Sequence, residues 1–150
     1  MNALLTAIVL WLSANFALPA TTELPRIEFV PAQKIVALRF SALLGAQPEM
    51  GAGSSLAGQR DVVAVYEATT KTIYLRDNWS GDNPAELSVL VHEMVHHLQN
   101  AGNLKFECPQ EREQTAYAAQ ERWLGLFGHD LLHDFEIDSF TLLVSTKCIP

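Results

Sequence analysis

The stretch from Asn83 to Gly102 constrains this chain more than any other, because it encodes a helix that must be covered on two sides. Leu87, Leu90, Val91, Met94, Val95 and Leu98 recur at helical spacing and form one apolar stripe. His92 and His96, one turn apart, lie about 140° from the centre of that stripe when residues are plotted at 100° each. The helix start is marked by Asn83 as a cap, Pro84 in the first turn, and Glu86 three residues past the cap, as in a capping box. Asn100, Gly102 and Asn103 supply a stop that tolerates a left-handed turn. The stripe is expected to meet a core, and the histidines whatever packs on the other side.

Those histidines sit in His92-Glu93-Met94-Val95-His96, the HExxH pattern. Residues four apart are about 40° apart around a helix, so both imidazoles can reach one metal ion. Glu93 then points to the side, where it can hold a water activated by that metal. Two imidazoles need a third protein ligand and leave a fourth position for water. The segment Pro109 to Leu126 predicts a second helix, opened by Pro109 and rich in Glu, Gln, Ala and Arg. Along it Glu113, Tyr117, Gln120 and Leu124 share a face. A carboxylate among otherwise packable side chains makes Glu113 the leading oxygen ligand. Glu111, about 160° round the helix, is expected to face solvent, and Glu107 is the reserve, in the loop before the helix. Tyr117, one turn from Glu113, either orders that ligand, donates to a reacting oxyanion or simply packs. His97, about 100° round from His96, is expected at the surface or beside the ligands.

An HExxH helix followed by a helix carrying Glu113-Gln114-Thr115-Ala116 resembles the gluzincin branch of zinc metallopeptidases. More closely, the chain resembles small, uncharacterised secreted HExxH proteins whose motif helix reads LVHExVHHLQ. Those continue with a Cys and an E-x-x-A-Y-x-x-Q-x-x-W-L helix. The likeness runs from about Val62 to Leu126, with Glu113, Ala116, Tyr117, Gln120, Trp123 and Leu124 in place. It implies an α+β, minimal zincin-like domain: a small sheet or hairpin packed on the HExxH helix, then a helical C-terminal half. It also implies Zn2+ on His92, His96 and Glu113, with Glu93 as general base. Larger gluzincins carry an Asn before the glutamate, where this chain has Arg112, and further transition-state donors, for which only Tyr117 and His133 are candidates here.

A chain of 150 residues forms one domain with enough apolar content for a core. Residues 1–20 stand apart. They carry no charged side chain, and Leu4 to Leu12 is almost wholly apolar, too short for a membrane span but suited to a signal-peptide core. Ala17 and Ala20 are cleavage candidates, leaving a domain of residues 21–150 that begins near Thr21 and is secreted or periplasmic. A buried N-terminal helix or an uncleaved anchor is the alternative. Cys108 and Cys148 are expected to pair in an oxidising compartment, clamping the tail beside the second helix; a zinc thiolate at Cys108 is the competing reading. The formal charge of −7, with no basic cluster, argues against nucleic acid or an anionic membrane as partner.

Elsewhere the pattern predicts an extended approach over Thr21 to Pro31, a helix over Ala32 to Leu44, with a strand over Lys34 to Phe40 as the alternative, and a loop from Gln47 to Arg60. A β-hairpin is predicted from Asp61–Glu67 and Lys71–Asp77. In the zincins that the chain resembles, the strand nearest the cleft pairs with extended substrate, and one of these two strands could serve. Trp79 reads as a packing residue. His129 and His133, flanked by Asp130 and Asp134, have metal-binding spacing but read better as a solvated helix start. Ile137 to Cys148 predicts a core helix. The expected activity is hydrolysis of peptide or protein substrates. A zinc-stabilised module without catalysis and an amidase acting on cell-wall peptides are the alternatives.

Overall fold

The computed structural model describes residues 1–41 and 64–149, and the fold is α+β. The elements run α1 (Asn2–Phe16), β1 (Arg26–Val30), α2 (Ala32–Ser41), β2 (Ala64–Glu67), β3 (Thr72–Arg76), α3 (Pro84–Ala101), α4 (Pro109–Gly125), α5 (Leu131–Asp134) and α6 (Ser139–Thr146). The loop expected at 47–60 lies outside the described residues. So do the last residues, 42–44, of the predicted 32–44 helix and the first, 61–63, of the 61–67 strand.

The predicted hairpin is present. β2 pairs antiparallel with β3, Glu67 opposite Thr72 and Ala64 opposite Leu75. Alternation then sorts the side chains by face. Ala64, Tyr66, Ile73 and Leu75 join the core formed with α1 and α3, while Val65 and Tyr74 face the other way and pack with Ile35 of α2. Both faces are covered, which is why these strands are apolar almost throughout.

The extended approach is, in part, a third strand. β1 lies parallel to β3, Arg26 opposite Thr72 and Val30 opposite Arg76, giving the order β1-β3-β2. The alternation of Arg26, Ile27, Glu28 and Phe29 is a short strand signal set between Pro25 and Pro31. β1 is a half-exposed edge, in which Phe29 is 51% exposed and only Val30 is buried.

Helix α3 is the spine. Leu90, Val91, Met94, Val95 and Leu98 are wholly buried against the sheet and α1, as the stripe requires. Each such side chain contributes roughly 1.5–3 kcal/mol by leaving water, so Met94→Ala would cost about 2–5 kcal/mol. Asn83 caps the helix through its side chain, accepting from the Glu86 N–H at 2.8 Å. Glu86 does not close the expected capping box. Its carboxylate instead accepts from Ser80 Oγ and from the Ser80 and Gly81 N–H groups in the preceding loop.

Residues 2–16 pack as α1 against α3 and α4, with Leu5, Ile8 and Leu12 fully buried. Trp11 meets Trp123 edge-on, and the Arg122 guanidinium lies over the Phe16 ring. Past α1 the chain runs against the end of α3. A Cβ at Gly102 would lie 2.4 Å from Pro19, so glycine there makes room for that crossing. Among the described residues no helix is long and apolar enough to cross a membrane.

The C-terminal segment is helical as predicted but is not a core helix. In α6 only Ser145 and Thr146 are buried, while Phe140 and Leu143 point outward, 72% and 53% exposed. The Cys108–Cys148 disulfide is formed and ties the tail to the residue that caps α4.

Candidate metal centre

Helix α4 covers the face of α3 opposite its apolar stripe. Pro109 starts it, Cys108 standing at the cap, and its length carries Glu113, Ala116, Tyr117, Gln120 and Leu124 into the buried interface. The expected face is therefore the observed one. Across it, Glu113 Oε2 lies 2.9 Å from His92 Nε2, and Glu113 Oε1 lies 3.2 Å from His96 Nε2. His92, His96 and Glu113 form the one group among the described residues whose ligand atoms converge as a metal ion would need.

The hydrogen bonds behind the rings decide what those short distances mean. His92 Nδ1 is 3.0 Å from Gln120 Oε1, and His96 Nδ1 is 3.0 Å from Gln99 Oε1. Neither amide can be turned round. Gln99 Nε2 donates to the Arg112 carbonyl oxygen, which can only accept. Gln120 Nε2 donates to Ser88 Oγ, whose own proton goes to the Ala85 carbonyl oxygen. Each histidine must therefore place a proton on Nδ1, and a neutral ring then turns the Nε2 lone pair toward Glu113.

Lone pairs facing a carboxylate repel unless a cation stands between them. Consistent with this, Glu113 Oε1 is buried and accepts no hydrogen bond, although His96 Nε2 lies close by. Two remedies exist: a second proton on each ring, or a metal ion. Without metal the protons respond in the expected sense. Burial favours the neutral forms of both groups, but the His96 and His92 imidazoles outweigh it and hold the Glu113 carboxyl well below the usual carboxylate range. Burial likewise works against a charged His96, yet the Glu113 carboxylate raises its pKa. A single divalent ion would serve all three ligand atoms at once. Bonds of about 2.0–2.2 Å to a tetrahedral ion put ligand atoms roughly 3.3 Å apart, close to the two spacings observed. The residues fit a metal.

Glu93 follows His92 on α3 and is buried. Its carboxylate carries no hydrogen bond or ion pair to any described residue, and its charge acts on both His96 and Tyr117. The Tyr117 ring stands edge-on to His92 with centroids 4.7 Å apart. Burial and the Glu113 charge push its hydroxyl pKa up, so it stays protonated. The same ring lines a pocket with Gln114, Glu121, Leu131 and Leu142.

The remaining candidates lie elsewhere. Glu111 is in the first turn of α4 and accepts from the Glu107 N–H ahead of the helix; neither belongs to the metal group. His133 is exposed on α5, outside that group, and His129 pairs with Asp134 at 2.6 Å. Trp79 packs against the core and donates to the Glu86 carbonyl oxygen. Cys108 is committed to its disulfide and supplies no thiolate. His97 is neither a surface residue nor a neighbour of the ligands. It is 1% exposed, with Nε2 2.7 Å from the Glu23 carbonyl oxygen and Nδ1 3.3 Å from the Tyr66 hydroxyl. Its position offered a clue: seven residues after Leu90 and three after Met94, it continues the buried stripe. Gln99 and Ser88 were missed because amides and hydroxyls on a helix look like surface residues until the partner helix is in place.

No curated protein and no solved structure matches the chain. A family model does match, over residues 1–150, and the chain therefore belongs to the family described as Domain of unknown function (DUF6647).

Proposed function

We propose that this protein is an exported zinc-dependent hydrolase of peptide bonds, related in mechanism to the gluzincins that its motif resembles. One observation carries the reading: two imidazole Nε2 lone pairs and a buried carboxylate converge from adjacent helices, beside a buried Glu93 that has no hydrogen bond or ion pair among the described residues. Two nitrogens and one oxygen suit zinc, and three protein ligands leave a position for water, as in catalytic sites. When bound, zinc supplies Lewis acidity toward a carbonyl and toward water. His92, His96 and Glu113 would hold it. Glu93 would accept the proton of the attacking water at a carboxylate oxygen and deliver it to the leaving amine. β2, an edge strand among the described residues, packs beside α3, where an extended peptide could add by backbone pairing. Export rests on the uncharged, apolar residues 1–20 and the disulfide. Because residues 2–16 pack as α1 against α3 and α4, the mass of the exported chain decides between a start near Thr21 and a retained N-terminal helix.

The test is a pair of variants. Glu93→Gln should retain one zinc per chain and lose hydrolysis of unstructured protein substrates by at least about a hundredfold, the scale of a lost general base. Glu113→Ala should lose the zinc itself. Full turnover in Glu93→Gln would sink the assigned base, and full zinc occupancy in Glu113→Ala would sink the ligand set.

A second reading has its own support. His92, Glu93, His96 and Glu113 are each only 1–7% exposed, and closed zinc sites are commonly structural. Zinc that raises the unfolding temperature, without turnover of peptides or of cross-linked cell-wall fragments, would favour that reading.

A further inference from the structure

We propose that Gln99 and Gln120 are the positioning residues of this centre: each takes the Nδ1 proton of one histidine and so aims both Nε2 atoms at Glu113. The inference rests on the zinc reading above and deepens it. A histidine that binds metal through Nε2 needs an acceptor at Nδ1, commonly a carboxylate or a backbone carbonyl. Here both acceptors are neutral amides, and each amide is locked at its nitrogen end. The lock matters because a free amide can rotate and offer its NH2 group, which would favour the opposite tautomer.

The two glutamines are not equivalent. Gln120 reaches across from α4 to orient His92 of α3 and is anchored on Ser88. Gln99 orients His96 on its own helix, while its nitrogen end holds the Arg112 carbonyl, one residue before Glu113. One side chain thus orients a nitrogen ligand and steadies the backbone that delivers the oxygen ligand. Loss of Gln99 should disturb two ligands, and loss of Gln120 only one.

Two measurements on the full chain test this. Zinc affinity is read by competition with a chelator, and imidazole tautomers by long-range 1H–15N correlation spectra of the metal-free protein at a pH high enough for both rings to be neutral. In the wild type both rings should carry their proton on Nδ1. Gln120→Leu, similar in volume but without an acceptor, should release the His92 tautomer and weaken zinc roughly 10–100-fold, and Gln99→Leu should weaken it further. Gln120→Glu restores an acceptor and should keep both the tautomer and an affinity within about threefold of the wild type. Thermal unfolding should confirm that the variants are folded.

An unchanged tautomer and affinity in Gln120→Leu would overturn the proposal. So would a Gln120→Glu variant as weak as Gln120→Leu, since the side chain would then matter for packing and not as an acceptor. If wild-type zinc affinity does not exceed that of His92→Ala, the zinc reading fails instead. The tautomer spectra then still decide the role of the glutamines.

Discussion

His97 holds the Glu23 carbonyl oxygen at 2.7 Å, across 74 residues of sequence. A carbonyl only accepts, so Nε2 carries the proton and Nδ1 is left to accept from the Tyr66 hydroxyl, which in turn accepts from Asn100 Nδ2. The His97 ring thus serves the fold, pinning the segment between α1 and β1 onto α3. The nearby Lys71–Glu23 ion pair is exposed and adds little. His97→Leu removes both bonds, while the Tyr66 hydroxyl keeps its bond from Asn100. Stability should fall by about 2–3 kcal/mol in denaturant unfolding of the zinc-free protein. Zinc affinity should stay near that of the wild type, and its collapse would return His97 to the site.

The Glu86 carboxyl group gives the start of α3 a definite pH response. Burial would raise its pKa, but the Ser80 hydroxyl and the Gly81 and Ser80 N–H groups outweigh that and hold it below its ordinary 4.5. A depressed folded pKa stabilises fully above the unfolded value, and the benefit is lost as pH falls through the folded one. Glu86→Gln should therefore be less stable than the wild type by on the order of 1–2 kcal/mol at pH 7. The gap should close in the acid range below 4.5. Unfolding curves at several pH values test this, and a gap that widens on acidification would contradict the assignment.

How much of this was legible from sequence varies by element, for physical reasons. Helix α3 declared itself because cap, stripe and motif agree within one segment. Glu113 was legible because its neighbours on α4 are packable. Strand β1 was less so, since its stabilising partners belong to β3 and its own side chains do not alternate in burial. In α6 the apolar residues suggested a core that the helix, packed on α4 alone among its larger contacts, does not enter. The polar support of the two histidines needed both helices in place before it meant anything.

Tyr117 separates packing from chemistry. Its ring buttresses His92, and no described residue hydrogen-bonds its hydroxyl. If packing is its role, Tyr117→Phe should leave zinc affinity and turnover within about twofold of the wild type. Tyr117→Ala, by contrast, should cost about 3–5 kcal/mol of stability through the cavity it opens. A large fall in kcat for Tyr117→Phe at unchanged zinc affinity would make the hydroxyl a donor to the reacting oxygen.

The disulfide should act on stability more than on the centre. It closes a loop spanning 40 residues of sequence, worth about 4 kcal/mol on the chain-entropy view. The double variant Cys108→Ser, Cys148→Ser should unfold at a markedly lower temperature yet still bind zinc, because Glu113 is held by α4 against α3. Loss of zinc affinity with folding intact would show that the bond also sets the pitch of the ligand helix.

Parallel pairing of β1 with β3 has a consequence for how the chain is made. The first strand to leave the ribosome cannot form its ladder until β3, beyond α2 and β2, has followed it. Such non-local pairing is slow to close. A newly made chain therefore keeps β1 unpaired for longer than a succession of local hairpins would.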